Sequence, residues 1–141
     1  MATDPKLQAA LTSAYAVASN DCSGFLKKVV SDLGHPLTGT ADALVDYFRK
    51  NFTRVETIPE VMQLVKQNRF VVAGLKSGEH NPKRANGHVV VIVDGLLYRG
   101  KYPKCWGGSI GAAQSQGTKS VGEVWNTRDR DNVQYFVATW N

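Results

Sequence analysis

The sequence has no long hydrophobic run and no leader-like start. No uninterrupted apolar stretch is longer than that of Val89–Val93, whereas a helix that crosses a bilayer needs about 20 apolar residues. No basic segment followed by an apolar one stands at the beginning, so we expect no Sec-type signal peptide and synthesis in the cytoplasm. Repeats, low-complexity tracts and Pro/Ser-rich linkers are absent as well. We therefore expect a single domain spanning residues 1–141.

Cysteine is scarce, with only Cys22 and Cys105 in the chain. Neither a C-x-x-C nor an H-x-x-x-H spacing occurs, so we expect no zinc site, and nothing in the sequence indicates a cofactor. Two cysteines allow one disulfide, two free thiols or one working nucleophile. The choice among these depends on where each cysteine lies in the fold.

Acidic residues are fewer than basic ones, 12 against 17, which gives a formal net charge of +5. This balance favours anionic partners such as nucleic acid or polyanionic cell wall. A nucleic-acid-binding surface usually gathers its charges in one stripe. Here the lysines and arginines are scattered along the chain, which favours an ordinary solvated basic surface.

The two halves of the chain differ in pattern. In the first half, apolar positions with helical spacing predict four helices, at Leu7–Ala18, at Cys22–Leu33 after an Asn20 or Asp21 cap, at Leu44–Phe48 after a Thr40 cap, and at Val61–Val65 after a Thr57–Glu60 capping box. In the second half, β-branched and aromatic runs predict strands at Phe70–Ala73, His88–Val93, Leu96–Arg99 and Val133–Thr139.

The segments between the predicted helices and strands have compositions typical of turns and loops. Asp94–Gly95 has the composition of a two-residue hairpin turn. The polar segment Asn81–Gly87 is typical of a loop, and the glycine-rich segment Cys105–Gly122 predicts a long irregular stretch. Helices followed by strands indicate an α+β domain, with N-terminal helices packed on an antiparallel sheet.

Cys22 is the candidate nucleophile. It falls in the first turn of the second predicted helix, where unpaired backbone amides and the helix dipole stabilise a thiolate. Ser23 and Gly24 are small, so a substrate carbonyl can approach and backbone amides remain free for an oxyanion. A buried structural cysteine is the alternative. Asp21 can cap the helix or orient the site, and capping is the role that its position favours.

A cysteine nucleophile needs a base, which is usually histidine. His88 opens the most apolar predicted strand, at an edge of the sheet that a helix N-terminus can reach. His35 lies in a Gly-His-Pro turn and His80 in the polar loop, so we expect both to be solvent-exposed. Cys22 and His88 therefore form the candidate catalytic dyad.

These residues match a known family. Asp21–Phe25 followed by Gly87–Val89 resembles the NlpC/P60 group of papain-like cell-wall peptidases, in which the cysteine begins a helix and the histidine sits on a central strand. Further stretches resemble one branch, the first family of type VI secretion amidase effectors. They are Ala73–Lys76, Leu97–Arg99, Lys101–Pro103, Cys105–Trp106, Gly108–Ile110, Gln114–Gly117, Lys119–Gly122 and Val124–Asn126.

The resemblance implies a function. Cys22 takes the nucleophile position and His88 the general-base position of an amidase that cleaves the γ-D-glutamyl–meso-diaminopimelate bond of peptidoglycan stems. Apart from the resemblance, we expect so small an enzyme to be a monomer. The resemblance also implies export by a type VI secretion machine into a rival bacterium's periplasm, and a small immunity protein that blocks the cleft. The expected cleft or oxyanion residues are Asp21, Ser23, Trp106, Gly107 and Ser109.

The sequence departs from the family at the group that orients the histidine. NlpC/P60 enzymes usually have a polar side chain there, and amidase effectors can have a second cysteine, but this chain has Gly107. We therefore expect a main-chain carbonyl near Trp106 or Gly107 to accept the proton of the second His88 nitrogen. The only partner for a Cys105 disulfide is the nucleophile, so we expect Cys105 to be structural.

Two other functions remain open at this point. One is a non-catalytic module that holds anionic cell-wall strands on its basic surface. The other is a small nucleic-acid-binding domain that stacks bases on Tyr102, Trp106 and Trp125, which lie among glycines.

Overall fold

The computed structural model describes residues 4–140. Residues 1–3 and 141, the two ends of the predicted domain, lie outside this range. Within it the helices are α1 (Pro5–Ala18), α2 (Cys22–Asp32), α3 (Ala41–Asn51), α4 (Ile58–Lys66) and α5 (Val121–Val124). The strands are β1 (Thr53–Val55), β2 (Val71–Leu75), β3 (His88–Ile92), β4 (Lys104–Gly107), β5 (Ser115–Ser120) and β6 (Gln134–Val137). None of the described helices has the length and hydropathy needed to cross a membrane.

The first four helices start and stop where local chemistry favours it. The Thr40 side chain accepts a hydrogen bond from the Ala43 amide at 3.3 Å, and Thr57 accepts one from the Glu60 amide at 3.4 Å. Gly34 follows α2 with a φ of +89°, a conformation that glycine adopts without strain, and the chain turns there. The four predicted helices and the N-cap roles of Thr40 and Thr57 are confirmed.

The strands form one sheet in the order β1-β6-β2-β3-β4-β5, and every neighbouring pair is antiparallel. All residues of β2 and β3 are buried. On one face, Val89 and Val91 pack with α1, α2 and α3. On the other, Val90 and Ile92 pack with α4, α5 and aromatic side chains. The α+β prediction is therefore confirmed, and the N-terminus of α2 lies against the start of β3.

Two strand predictions are wrong. Leu96–Arg99 forms no strand, because Arg99 and Gly100 both have positive φ and turn the chain back, leaving a single bridge between Tyr98 and Tyr102. Asp94–Gly95 is consequently not a hairpin turn, and β3 pairs instead with β4.

The stretch Cys105–Gly122, predicted to be irregular, contains most of β4, all of β5 and the start of α5. Its polar composition suits β5 because that strand is the last in the sheet, with exposed and half-buried positions between its buried ends. Asn81–Gly87 is free of helix and strand, as expected.

Candidate active site

The nucleophile candidate is the first residue of α2. Asp21 precedes it in an extended conformation, so the chain turns into the helix at Cys22. The Cys22 side chain is half-buried, and its thiol donates to the Gly87 carbonyl at 3.6 Å. This contact joins α2 to the residue directly before His88. The predicted proximity of Cys22 to the start of β3 is thus present in the structure.

Asp21 is the N-cap residue of α2 by position, but its side chain makes no capping hydrogen bond. The carboxylate accepts instead from the Ser23 hydroxyl at 3.0 Å. It lies over the first turn of the helix, where a Cβ on Gly24 would come within 2.6 Å of it. Gly24 therefore leaves room for Asp21. The expected capping role is replaced by this contact with the Ser23 side chain.

His88 begins β3 and is 3% exposed. It lies at the end of the strand that contacts the start of α2, and it lines the same cleft as Cys22. Its Nε2 is buried and has no hydrogen-bond partner within residues 4–140. The expected carbonyl acceptor near Trp106 or Gly107 is therefore wrong. The Trp125 ring lies against the imidazole instead, with 4.8 Å between ring centroids.

Cys22 and His88 line one open cleft with a volume of about 730 Å³. The other lining residues include Asp21, Ser23 and Ser109 from the expected set, together with Asn20, Thr40, Ala41, Arg84, Ala85, Asn86, Gly87 and Ile110. Gly108 and Ser109 pack on the turn between α1 and α2, where the Ser109 amide donates to the Ser19 carbonyl at 2.9 Å. The segment that follows β4 thereby forms a wall of the cleft.

Trp106 and Gly107 do not line this cleft, which corrects the prediction for both. Trp106 is 9% exposed and packs edge-to-face on Tyr15 in the core, with ring centroids 6.0 Å apart. Gly107 lies inside β4, where a Cβ would approach a Val90 methyl to 2.9 Å. A side chain at position 107 would therefore collide with Val90, which is buried in the sheet.

The dyad is electrically neutral at rest. Burial raises the pKa of the Cys22 thiol above its usual value, and the Asp21 carboxylate acts in the same direction, partly offset by the Val89 amide. The Ser23 and Cys22 amides at the helix N-terminus also lower this pKa, but by less than burial raises it, so the net shift is opposite to the expectation from sequence. Burial lowers the pKa of His88 to about 3, with smaller contributions from Arg84 and His80. A neutral thiol thus shares the cleft with a neutral imidazole.

The other two histidines are not the exposed turn residues that the sequence predicts. His80 is 3% exposed, and its Nε2 accepts a hydrogen bond from the Trp125 indole at 3.1 Å. His35 is half-buried and stacks on Trp140 with ring centroids 3.9 Å apart. Both contacts join segments far apart in the chain, so no local pattern indicates them.

Cys105 lies on the buried face of β4 away from the cleft. It is fully buried, and its thiol donates to the Lys119 carbonyl at 3.6 Å. Both cysteines are free thiols. Burial raises the pKa of Cys105 to about 12. This thiol is therefore inert at neutral pH, in agreement with the structural role that we expected.

We accordingly expect iodoacetamide to label the folded protein at Cys22 alone at neutral to mildly alkaline pH, because alkylation needs an accessible thiolate. Peptide mapping by mass spectrometry measures this directly. Denatured protein, which exposes both thiols, is the positive control and should take two labels. A label on Cys105 in folded protein would contradict its burial in the core.

The aromatic residues considered for base stacking are not available for it. Tyr102 is 4% exposed and Trp125 is 3% exposed, and Trp106 is buried as described above. A stacking platform needs an open ring face, so this form of nucleic-acid binding is wrong. Within residues 4–140 no group of three or more His, Cys, Asp or Glu side chains is placed to hold a metal ion.

Arg84 is a cleft residue that sequence reasoning did not single out. It belongs to the polar loop before β3, is exposed, and lines the cleft with Asn86 and Gly87. The structure shows no ion pair of its guanidinium with any residue from 4 to 140. The one sequence feature that points to Arg84 as a cleft residue is its position four residues before His88. An unpaired cation is therefore available to an anionic group in the cleft.

Comparison with known proteins extends these observations. No family model matches the chain. Over 121 residues the chain is 46% identical to the peptidoglycan amidase Tse1 of Pseudomonas aeruginosa, a match that covers 84% of this chain and 75% of the relative. Identity and coverage of this size show common ancestry and a common fold. The expected papain-like α+β architecture is confirmed.

Proposed function

The chain belongs to the family of type VI secretion amidase effectors, and from this premise we propose that it is a cysteine amidase that hydrolyses peptidoglycan stem peptides. The observation that carries the proposal is the shared cleft of Cys22, at the start of α2, and His88, at the start of β3. A thiol and an imidazole placed this way suit nucleophilic attack on an amide.

The first step transfers a proton and forms a bond. As the Cys22 sulfur attacks the carbonyl carbon, His88 takes the thiol proton; since Nε2 is buried, we assign this to Nδ1. In the resting structure the thiol instead contacts the Gly87 carbonyl. Catalytic hydrogen bonds are often loose before substrate binds. Rotation of the thiol from Gly87 toward the imidazole therefore accompanies attack.

The tetrahedral oxyanion would form at the N-terminus of α2. The backbone amides of Cys22 and Ser23 lie in the first turn, where helix N–H groups lack intrahelical acceptors. His88 then returns its proton to the leaving amine as the C–N bond breaks, which leaves an acyl-cysteine. A water molecule then gives a proton to His88 and attacks this thioester. As the C–S bond breaks, His88 passes that proton to the Cys22 sulfur, which releases the acid and restores the free thiol.

We propose the γ-D-glutamyl–meso-diaminopimelate bond as the one that is cut. A γ-linked glutamate keeps its α-carboxylate free, and this anion would lie close to the reacting carbonyl. Arg84 is the cation that lines the cleft beside Asp21, Cys22 and His88. A hydrogen bond to a charged group contributes about 1.5–3 kcal/mol, so a free carboxylate next to the scissile amide fits the charge of this cleft.

Arg84→Gln should therefore weaken binding of stems that carry the free carboxylate. We expect KM to rise about tenfold, the equivalent of about 1.4 kcal/mol, while kcat changes little. Steady-state kinetics on a synthetic tetrapeptide stem measure this effect. The same stem with that carboxyl amidated should show no difference between wild type and Arg84→Gln.

Lys83→Gln is the matched control, because it removes the neighbouring positive charge from a residue that does not line the cleft. It should leave KM unchanged on both substrates. If Arg84→Gln and Lys83→Gln raise KM equally, the effect comes from net charge alone and the binding role of Arg84 is wrong.

Digestion of purified sacculi tests the proposed bond. Cleavage between D-glutamate and meso-diaminopimelate leaves disaccharides that carry only L-Ala-D-Glu, and it releases peptides with a diaminopimelate N-terminus. Liquid chromatography with mass spectrometry separates these products from those of any other cut in the stem. Products that retain diaminopimelate on the glycan strand would overturn the bond assignment, and intact sacculi would overturn the amidase.

We further propose that the protein acts as an antibacterial effector: a type VI machine delivers it to the periplasm of a rival cell, and an immunity protein blocks the cleft in the producer. Family membership supports this. The exposed Ile110 at the cleft rim gives such a blocker an apolar contact. Directing the protein to the periplasm of a Gram-negative host should cause lysis, whereas cytoplasmic expression should be harmless.

A further inference from the structure

We propose that Trp125 is a positioning residue for His88 and that His80 fixes the orientation of the Trp125 indole. This inference rests on the proposed role of His88 as the general base. It starts from the absence of a hydrogen-bond acceptor for the buried Nε2 of His88 within residues 4–140. An imidazole without such an acceptor has nothing polar to select its tautomer or ring orientation. Another contact has to restrict the ring.

Trp125 supplies that contact. Its ring lies 4.8 Å from the His88 ring between centroids, at an interplanar angle of 62°. Tilted aromatic pairs at this separation have a preferred geometry and resist rotation of either ring. Both side chains are 3% exposed, so solvent does not compete for the contact. The indole therefore limits rotation of the imidazole about its χ2 angle.

His80 holds the indole in turn. The Trp125 Nε1–H donates to His80 Nε2 at 3.1 Å, and His80 Nδ1 lies 2.9 Å from the Lys76 carbonyl. An indole N–H can only donate, so Nε2 of His80 carries the lone pair and Nδ1 donates its proton to Lys76. The two neighbours together select one neutral tautomer of His80. The His80 ring cannot flip without losing both hydrogen bonds.

The backbone on either side of His80 is anchored to two parts of the fold. Before it, the Asp42 carboxylate of α3 accepts from the Ser77 amide at 2.7 Å and from the Ser77 hydroxyl at 2.6 Å. After it, the Asn81 amide donates to the buried Asp129 carboxylate at 2.7 Å, in the segment that follows α5. His80 thus joins α3 to the chain around Trp125, and the indole inherits a fixed position.

Packing against Trp125 takes the place of a hydrogen bond from the His88 imidazole to a polar acceptor. A glycine at position 107 offers no side chain to the imidazole, and the Nε2 atom has no carbonyl within hydrogen-bond distance among the described residues. The Lys76–His80–Trp125 chain restricts the ring from its other side. During the reaction protons still move only between Cys22, His88, the leaving amine and the attacking water, so Trp125 and His80 position the base without exchanging a proton with it.

Two variants remove parts of this chain. His80→Ala leaves the indole N–H without an acceptor, and Trp125→Phe keeps a ring against His88 but removes the N–H donor. We expect each to lower kcat on sacculi or stem peptide about tenfold, the loss typical of a misaligned catalytic group, with KM within twofold of wild type. His80→Gln, whose amide can accept from the indole and donate to the Lys76 carbonyl, should restore kcat to within about threefold.

A spectroscopic readout separates positioning from general destabilisation. In ¹⁵N-labelled wild type, the His88 ring should give the shifts of a single tautomer, whereas His80→Ala should give averaged or doubled signals. His35→Ala is the matched control, since it removes a half-buried histidine stacked on Trp140 away from the cleft. It should change neither kcat nor the His88 signals. Circular dichroism identifies folded variants, and Trp125→Phe carries the test if His80→Ala does not fold.

These experiments distinguish a failure of the positioning role from a failure of the proposed amidase activity. Folded His80→Ala and Trp125→Phe proteins with wild-type kcat and unchanged His88 signals would overturn the positioning role. A wild type that does not cleave sacculi or stem peptide would overturn the amidase instead, and the His88 signals would still decide whether His80 and Trp125 hold the ring.

Discussion

Cys22→Ala should abolish the release of stem peptides from sacculi. Removing a cysteine or serine nucleophile lowers kcat by several orders of magnitude, because the remaining oxyanion donors cannot form the covalent intermediate. The loss should be at least about 10³-fold. Cys22 is half-buried at the helix start and lies outside the fully buried core, so the variant should fold. Chromatography of the soluble products measures the loss, and thermal unfolding confirms that the fold is intact.

Cys105→Ser is the matched control, because it also removes one thiol but on the far side of the sheet. It should keep most of the activity as long as it folds, and its alkylation should inactivate it through Cys22. His88→Ala should resemble Cys22→Ala, since loss of the base leaves the resting thiol protonated. Near-normal cleavage by Cys22→Ala would show that the reaction takes place elsewhere in the protein.

The dyad could be predicted from sequence because its signals are local. A cap, a cysteine and two small residues mark the start of a catalytic helix, and an apolar run marks a central strand that begins at His88. Packing of the start of that helix against the start of that strand then brings the two residues into one cleft. The same local reasoning placed α1 to α4 and the central strands correctly.

The surroundings of the imidazole could not be predicted in this way. His80 and Trp125 are 45 residues apart, and their hydrogen bond exists only because the anchored loop meets the chain after α5. A polar segment with glycines gives no sign that its histidine will be buried. The polar edge strand β5 was missed for a related reason, since serine, glycine and lysine favour a loop until a neighbouring strand supplies hydrogen bonds.

The resting charge of the dyad could not be predicted from the local sequence either. Position at a helix N-terminus predicts a lowered thiol pKa, but burial and the Asp21 carboxylate outweigh the dipole at Cys22. Burial of the thiol depends on how the start of α2 packs against Gly87 and Val89, which is a property of the assembled fold. The proton therefore stays on sulfur until the substrate carbonyl arrives, and the imidazole must be neutral to accept it.

A buried imidazole that stays neutral makes the free energy of unfolding depend on pH. His88 has a pKa of about 3 in the folded protein, against 6.5 for the ordinary side chain. Between these values the unfolded chain binds a proton at this residue and the folded protein does not. The free energy of unfolding therefore increases with pH across this window, and the stability present above pH 6.5 is lost as the pH falls toward 3.

Between pH 7 and pH 4 this single residue should account for a loss on the order of 3 kcal/mol in the free energy of unfolding. His88→Asn removes the titrating group, so the variant should lose that much less than wild type over the same interval. Urea unfolding at both pH values measures the difference. His35→Asn, at the half-buried histidine stacked on Trp140, should keep most of the wild-type loss. Equal losses in wild type and His88→Asn would mean that His88 is protonated in the folded protein at pH 4, in which case the imidazole is not the desolvated neutral base on which the mechanism depends.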